Sequence, residues 1–197
     1  LDLGTNGEIV LGNQNKMMAT SVAAGPAFER GTENFGTDMM ALVACLLEKG
    51  MVDEAGLLCD TYFDEGITIG GICVTQPYIR SLQMAKAAVC TGIEILANQY
   101  GLKDLAEIDK VYLAGGMGYY LDTKAAAKIG LLPVCLADKA FAVGNAVLEG
   151  AYRYGREPKP EIAYKCETYN MAEDNSFNGK YIENMYLQPF TITGDKV

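Results

Sequence analysis

The first twelve residues constrain the fold more than any other stretch, because they predict two short strands joined by a tight polar turn. The turn consists of Gly4, Thr5, Asn6 and Gly7. Its two glycines allow the backbone conformations that a tight turn needs. The second strand covers 9–11 and ends at the polar run 12–15, and a third strand is predicted over 16–22. The chain therefore begins with an antiparallel meander.

The turn also has the composition of an anion site. Glycines free backbone N–H groups to face an anion, Thr5 and Asn6 add side-chain donors, and Asp2 is placed to hold a metal or a water. An ordinary meander with a glycine-rich turn is the alternative, because short glycine patterns recur by chance. These residues alone leave both interpretations open.

Size and charge limit the classes of function. The chain has 197 residues, half of them apolar, which predicts one domain or at most two with a proper core. Its net charge of −9 argues against nucleic acid or an anionic membrane as a partner. It contains no histidine, which excludes a Ser-His-Asp triad, a Cys-His pair and any histidine-containing metal site.

The six cysteines predict reduced thiols. They form no Cys-x-x-Cys pair, so the usual zinc and iron–sulfur spacings are missing, and most lie in apolar runs. We expect buried thiols in a reducing compartment, that is, a cytoplasmic protein. The sequence has neither a signal peptide nor a membrane span, and it begins within a strand, so we expect a fragment of a longer protein.

The first helix is predicted to begin at Thr37 or Asp38 and to end at Lys49. A short helical turn is expected over 53–58. The β-branched stretch 66–75 predicts a strand or a hairpin edge.

The longest helix is predicted to follow Thr75, which caps it, and to end near Gln99, with Pro77 in the first turn. It carries few charges, so we expect burial on most sides. Lys86 borders the apolar face, where a lysine usually extends its ammonium to water. The alternative is that Lys86 lines a ligand pocket.

A glycine-containing element and two helices follow. A strand is predicted to run directly into a glycine-rich turn over 110–118, followed by a helix over 123–129. The last strong helix is predicted over 142–154. From 156 onward composition changes, so we expect a domain over 1–155 and an appendage over 156–197, with a strand (161–168) and a short helix (176–187).

A dinucleotide-binding interpretation competes for the second glycine cluster. Gly116 and Gly118 follow a strand, and Asp138 lies about 20 residues further on, as a Rossmann-like site requires. However, the third glycine position holds Leu121. The Rossmann-like dinucleotide binder therefore stays an alternative only.

The order of elements resembles the second half of the nucleotide site in the actin, sugar kinase and Hsp70 superfamily. More specifically, the sequence resembles the C-terminal domain of the reductive activators of corrinoid proteins. The resemblance covers nearly the whole chain and is carried by the runs 2–12, 23–29, 83–88, 113–118, 129–133, 143–146 and 177–189. It implies an α/β fold with a ribonuclease H-like mixed sheet flanked by helices.

The resemblance also implies a set of site residues. Contacts to phosphate and metal are implied for Asp2, Gly4, Thr5, Asn6 and Gly7, with Asp2 as the ligand of Mg²⁺. It places Gln83 and Lys86 near the base of ATP, and Gly115, Gly116 and Gly118 at the adenosine. Asp2, Glu8 and Glu29 are the candidates for catalysis, the two glutamates because they are carboxylates near the expected phosphates.

Members of that family couple ATP to one-electron reduction of a Co(II) corrinoid protein to Co(I). The resemblance thus implies a corrinoid protein as the partner, ATP and Mg²⁺ as cofactors, and a homodimer. The family's iron–sulfur domain and first phosphate loop lie upstream of the part that this chain matches. The stretch 28–38 is also shorter than in the family, so we expect weak ATP binding. A non-catalytic docking or dimerisation module is the alternative function.

Overall fold

The computed structural model describes residues 1–25, 27, 36–156 and 165–190. Six strands form a mixed sheet in the order β7-β6-β1-β2-β3-β8. These strands are β1 (Asp2–Leu3), β2 (Gly7–Gly12), β3 (Met17–Val22), β6 (Val111–Ala114), β7 (Ala140–Gly144) and β8 (Cys166–Thr168). A separate hairpin pairs β4 (Ile67–Ile69) with β5 (Ile72–Val74), as the sequence predicts for 66–75.

Six α-helices accompany the sheet in the described ranges. They are α1 (Gly36–Glu48), α2 (Gln76–Tyr100), α3 (Gly115–Tyr120), α4 (Thr123–Lys128), α5 (Ala146–Arg156) and α6 (Phe177–Glu183). The mixed sheet with its flanking helices confirms the predicted fold class. Of these helices, none is long and apolar enough to cross a membrane.

The opening meander has the predicted form. β1 pairs antiparallel with β2, and β2 with β3. The turn between β1 and β2 is closed by the Gly4 N–H, which donates to the Asn6 carbonyl at 3.0 Å. However, neither Gly4 nor Gly7 has a positive φ. Gly7 is instead needed for packing, because a Cβ there would lie 3.1 Å from Val22 and 3.2 Å from Val89.

Helix α2 fills the covered face of the sheet. Thr75 caps it by accepting a hydrogen bond from the Tyr78 N–H, and Gly101 ends it with φ of +97°. Most of its residues are buried, as predicted from its low charge. The helix approaches β2 closely at Gly92, where a Cβ would lie 2.7 Å from Ile9 and 2.8 Å from Val22.

Parallel pairing of β1 with β6 joins the start of the chain to residues 111–114. Asp2 pairs with Ala114, the Leu1 amino group donates to the Tyr112 carbonyl at 2.8 Å, and the Ala114 N–H donates to the Leu1 carbonyl at 2.7 Å. Because parallel strands end at the same edge of a sheet, the turn after β1 and the start of α3 lie side by side.

Two predictions for the second half of the chain were wrong. Residues 142–144, predicted as helix, belong to β7, which pairs with β6, and α5 begins only at Ala146. Pairing with a distant strand overrides the local preference of this stretch. The glycine-rich turn expected over 115–118 is instead the first part of α3, which begins directly after β6.

Other elements differ less. The stretch 53–58 is a turn closed by an isolated bridge between Val52 and Leu58, and the Asp53 carboxylate accepts from the Leu57 N–H, so no helical turn forms there. In the C-terminal part, β8 covers 166–168 and α6 covers 177–183. Residues 161–164 of the predicted strand lie outside the described residues.

The C-terminal residues 165–190 pack on the same core as the rest. β8 extends the sheet beside β3, and Met171 and Leu187 are buried in the common hydrophobic cluster. Lys180 of α6 forms an ion pair with Glu94 of α2, and the Asn184 amide donates to the Thr91 hydroxyl at 3.1 Å. The division at 155/156 stays a prediction.

All six cysteines are free thiols, as expected. Their predicted burial was wrong for half of them, because Cys59, Cys73 and Cys135 are exposed and only Cys90 is fully buried. Burial raises the pKa of the Cys90 thiol to about 12, so this thiol stays protonated at neutral pH.

The close approach of α2 to the sheet predicts the effect of a single methyl group. Gly92→Ala is expected to lower the free energy of unfolding by about 1–2 kcal/mol, because overpacking against Ile9 and Val22 outweighs the gain in helix propensity. Gly150→Ala in α5, where no atom lies within 4 Å of an added Cβ, is the control and should cost nothing. Urea denaturation measures both, and a Gly92→Ala variant more stable than the wild type would contradict this packing.

Candidate functional site

The structure brings Asp2, Glu8 and Gly115 together at one end of the sheet. Asp2 on β1 pairs with Glu8 on β2, so the two carboxylates are cross-strand neighbours on the open face of the sheet. Gly115 is so close that a Cβ on it would lie 2.4 Å from the Asp2 Oδ1 and 2.7 Å from the Leu3 carbonyl oxygen. With φ of +81°, this position requires glycine.

The turn over 4–7 lies beside this cluster. Thr5 and Asn6 are exposed, and the Thr5 carbonyl accepts from the Gly25 N–H at 2.8 Å, which ties the turn to the end of β3. The Gly4 N–H is already used within the turn, so it is not a free donor to an anion.

The glycines of α3 differ in accessibility. Gly116 is exposed, and a Cβ there would meet no atom within 4 Å, so open space adjoins the backbone at this point. Gly118 is buried against Leu113. The surface that a ligand could reach is therefore that of Gly115 and Gly116.

Gln83 lies on the covered side of the sheet, in α2. Its amide nitrogen donates to the carbonyls of Ala55 at 3.0 Å and Met185 at 2.8 Å, and its amide oxygen accepts from Arg80 at 2.7 Å. The side chain is 1% exposed. It therefore joins the 53–58 turn and the C-terminal segment to α2.

Lys86 is buried as well, which contradicts the expectation that its ammonium reaches water. Its residue exposure is 1%, and its Nζ donates to the Tyr186 carbonyl at 2.6 Å. Burial lowers the pKa of Lys86 to about 8, with a smaller opposing effect of the Cys90 thiolate form. Contact with a base, implied by the resemblance, would require Gln83 and Lys86 to exchange these partners, and it stays a prediction.

These two side chains have a role that the sequence did not reveal. They hold the carbonyls of Met185 and Tyr186, while the Leu187 N–H donates to the Glu54 carbonyl at 2.7 Å. We name residues 185–187 the C-terminal strap. A lysine bordering the apolar face of a helix with few charges is the sequence signal for such an anchor. Its partner, a backbone carbonyl 100 residues away, is not visible in a local pattern.

The expected metal site rests on a single carboxylate. Among the described residues, no three acidic or cysteine side chains cluster as a metal site. Mg²⁺ is commonly held by one or two carboxylates together with phosphates, so Asp2 with neighbouring Glu8 fits a phosphate-bound Mg²⁺. Glu29 lies outside the described residues.

A cavity of about 670 Å³ lies at the opposite end of the sheet. It is lined by the C-terminal half of α2, the end of β2 and the start of β6, and it includes none of the predicted nucleotide residues.

The comparisons with known proteins identify the family and the fold. The family described as the C-terminal domain of RACo, the ASKHA domain, matches residues 1–44 and 35–193. The chain belongs to this family. The curated relative "Corrinoid activation enzyme RamQ" of Eubacterium limosum is 30% identical over 263 residues, which covers 100% of this chain and 43% of the relative.

A solved structure named "Reductive activator for corrinoid,iron-sulfur protein" has the same fold. Its TM-score is 0.79 at 27% identity, and the match covers 95% of this chain and 39% of that chain. The chain thus spans less than half the length of either relative. The family matches overlap at 35–44, and the alignment with RamQ is longer than the chain, so the chain lacks residues that this relative has. The shorter stretch at 28–38 stays a prediction.

The ASKHA match and the sheet order contradict the Rossmann-like alternative. A Rossmann sheet is built from parallel βαβ units, whereas β1, β2 and β3 are antiparallel neighbours here. In addition, Gly116 and Gly118 lie inside α3 rather than in a turn before a helix.

Burial of Lys86 predicts a specific pH dependence. Because its pKa falls from 10.5 unfolded to about 8 folded, unfolding takes up a proton between these values, and stability rises with pH by at most about 1.4 kcal/mol per unit. Lys86→Met should lack this rise. The free energies of unfolding of the wild type and the variant, measured in urea at pH 7.5, 8.5 and 9.5, should therefore diverge.

The exposed Lys124 provides the control, since Lys124→Met should follow the pH dependence of the wild type. Equal pH dependence of Lys86→Met and wild type would contradict a buried ammonium at position 86.

Proposed function

We propose that this chain is the nucleotide-binding domain of an ATP-dependent activator that returns a Co(II) corrinoid protein to Co(I). The observation that carries the proposal is the pairing of Asp2 with Ala114. This register places the 4–7 turn, the Asp2 carboxylate and the Gly115–Gly116 backbone at one end of the sheet.

The residues suit a nucleotide in this arrangement. Asp2 would hold Mg²⁺, Thr5 and Asn6 would donate to phosphate, and the backbone at Gly115 and Gly116 would lie against the adenosine. ATP, when bound, supplies the free energy of hydrolysis. The carboxylate of Glu8, beside Asp2, is the described candidate for orienting a water.

The partner follows from the relatives. Their names describe activation of corrinoid proteins, and the chain belongs to their family. Reduction of Co(II) to Co(I) takes one electron, which in the proposed parent protein comes from the iron–sulfur domain. The nucleotide would bind one of two arrangements of the whole activator more tightly than the other. Binding would therefore shift the activator to that arrangement and change its position relative to the corrinoid protein. We further propose that the activator is a homodimer and is located in the cytoplasm.

One observation favours the second candidate, a docking or dimerisation module. Helix α5 has no buried residue, and Val147, Leu148 and Tyr152 on it are 70%, 66% and 57% exposed. Apolar residues exposed together on one helix are typical of a contact surface. The two candidates differ in whether the chain binds ATP.

Calorimetric titration with Mg-ATP distinguishes them. Binding should weaken by roughly tenfold in Thr5→Val, about 1.4 kcal/mol for lost polar contacts to phosphate. Thr68→Val is the matched control, because Thr68 is exposed on the separate β4–β5 hairpin, and its affinity should equal that of the wild type. No heat from the wild type, or equal loss in both variants, would contradict a phosphate site at the 4–7 turn.

A further inference from the structure

The ammonium of Lys86 is a buried charge that no carboxylate neutralises in the described part of the chain. Lys86 is 1% exposed, and the hydrogen bond that it donates goes to the Tyr186 carbonyl. It takes part in none of the ion pairs that the described residues form. A buried cation with only a backbone acceptor is poorly compensated. A ligand that offers stronger acceptors would therefore be favoured at this position.

Lys86 lies at the end of the sheet that carries the 4–7 turn. Helix α2 touches this turn through Val89, since a Cβ on Gly7 would lie 3.2 Å from the Val89 Cγ2. Farther along the helix, Tyr100 lines the cavity at the opposite end. Lys86 precedes Val89 by three residues, which is a rise of about 4.5 Å in the direction of the turn. Its ammonium is therefore at the same end of the domain as the proposed phosphate site.

The C-terminal strap covers this ammonium but is weakly anchored itself. Of its three residues only Leu187 is buried, whereas Tyr186 is 49% exposed. The strap belongs to no helix or strand, and its anchors in α2 are the side chains of Gln83 and Lys86. Segments with one buried side chain and few hydrogen bonds open locally at low cost.

The loop that follows α4 closes the remaining access to Lys86. A Cβ on Gly130 in this loop would lie 2.1 Å from the Gln188 carbonyl oxygen and 2.9 Å from the Lys86 Nζ. The loop, the strap and α2 thus surround the ammonium. A ligand could reach Lys86 only if one of them moved, and the strap is the least anchored of the three.

We propose that the C-terminal strap is an autoinhibitory segment: it occupies the side-chain donors of Gln83 and Lys86, and a bound nucleotide displaces it by supplying acceptors in place of the strap carbonyls. The inference rests on the proposed function, because it needs a nucleotide at the 4–7 end of the sheet. The apparent affinity for Mg-ATP is then the intrinsic affinity multiplied by the fraction of molecules with an open strap.

Leu187→Ala tests the proposal by removing the one buried side chain of the strap. The dissociation constant of Mg-ATP, measured by calorimetry on the whole chain, should fall by about fivefold or more, because the open fraction rises. Leu105→Ala is the matched control. Leu105 is 2% exposed and Leu187 0%, but Leu105 lies beside the cavity-lining residues 107–109 at the opposite end of the sheet. Its truncation should leave the dissociation constant unchanged.

Hydrogen exchange of the wild type gives a readout that does not depend on the folding of a variant. The Leu187 N–H donates to the Glu54 carbonyl, so its exchange reports opening of the strap. It should exchange about tenfold faster in saturating Mg-ATP, since the nucleotide releases the strap. Binding that only stabilised the fold would slow this exchange instead.

The two readouts separate failure of this inference from failure of the proposed function. If the wild type binds Mg-ATP but the Leu187 exchange is unchanged or slower, the strap is not displaced and the inference is wrong, while the nucleotide site stands. Equal affinities of Leu187→Ala and Leu105→Ala would overturn it in the same way. If neither the wild type nor Leu187→Ala binds Mg-ATP, the proposed function fails and this inference fails with it.

Discussion

The pairing of β1 with β6 is the contact on which the candidate site depends. It joins residues more than 100 positions apart through two short hydrogen bonds and a single register, Asp2 with Ala114. Closing a loop of this length costs conformational entropy that two hydrogen bonds do not offset. The pairing therefore depends on the helix that the intervening chain places behind the sheet.

That helix is α2, and its burial explains how the domain keeps the pairing. Small residues at Gly7 and Gly92 let the helix axis approach β2 and β3, and Ile9, Val22 and Val89 interlock there. On its other side α2 carries two polar side chains, Gln83 and Lys86, whose hydrogen bonds hold the C-terminal strap. Apolar packing against the sheet and buried hydrogen bonds to the C-terminal strap thus hold α2 in place.

The parts of the fold that could be predicted are those determined locally. The opening meander follows from turn residues and strand lengths, and the boundaries of α2 follow from a capping threonine, a proline in the first turn and a closing glycine. The incorrectly predicted parts depend on contacts between residues far apart in the sequence. Residues 142–144 of β7 were predicted as helix because the pairing of β7 with β6 is not visible in a local pattern. Lys86 was expected to reach water because its partner, Tyr186, lies 100 residues away.

The candidate site shows the same division. The 4–7 turn could be named from its residues, and Gly115 from its place after a strand. Their adjacency, with Gly115 against the Asp2 carboxylate, depends on the strand order β6-β1-β2, which local patterns do not reveal.

The central claim is that the two glycine-containing segments form one nucleotide site, and amide NMR during titration with Mg-ATP tests it most directly. The account predicts that the backbone amides over 4–7 and 115–118 shift together with one affinity, while those over 10–12 and 110–111, at the opposite end of the sheet, stay unchanged. Shifts confined to one of the two segments, or to the opposite end, would contradict it.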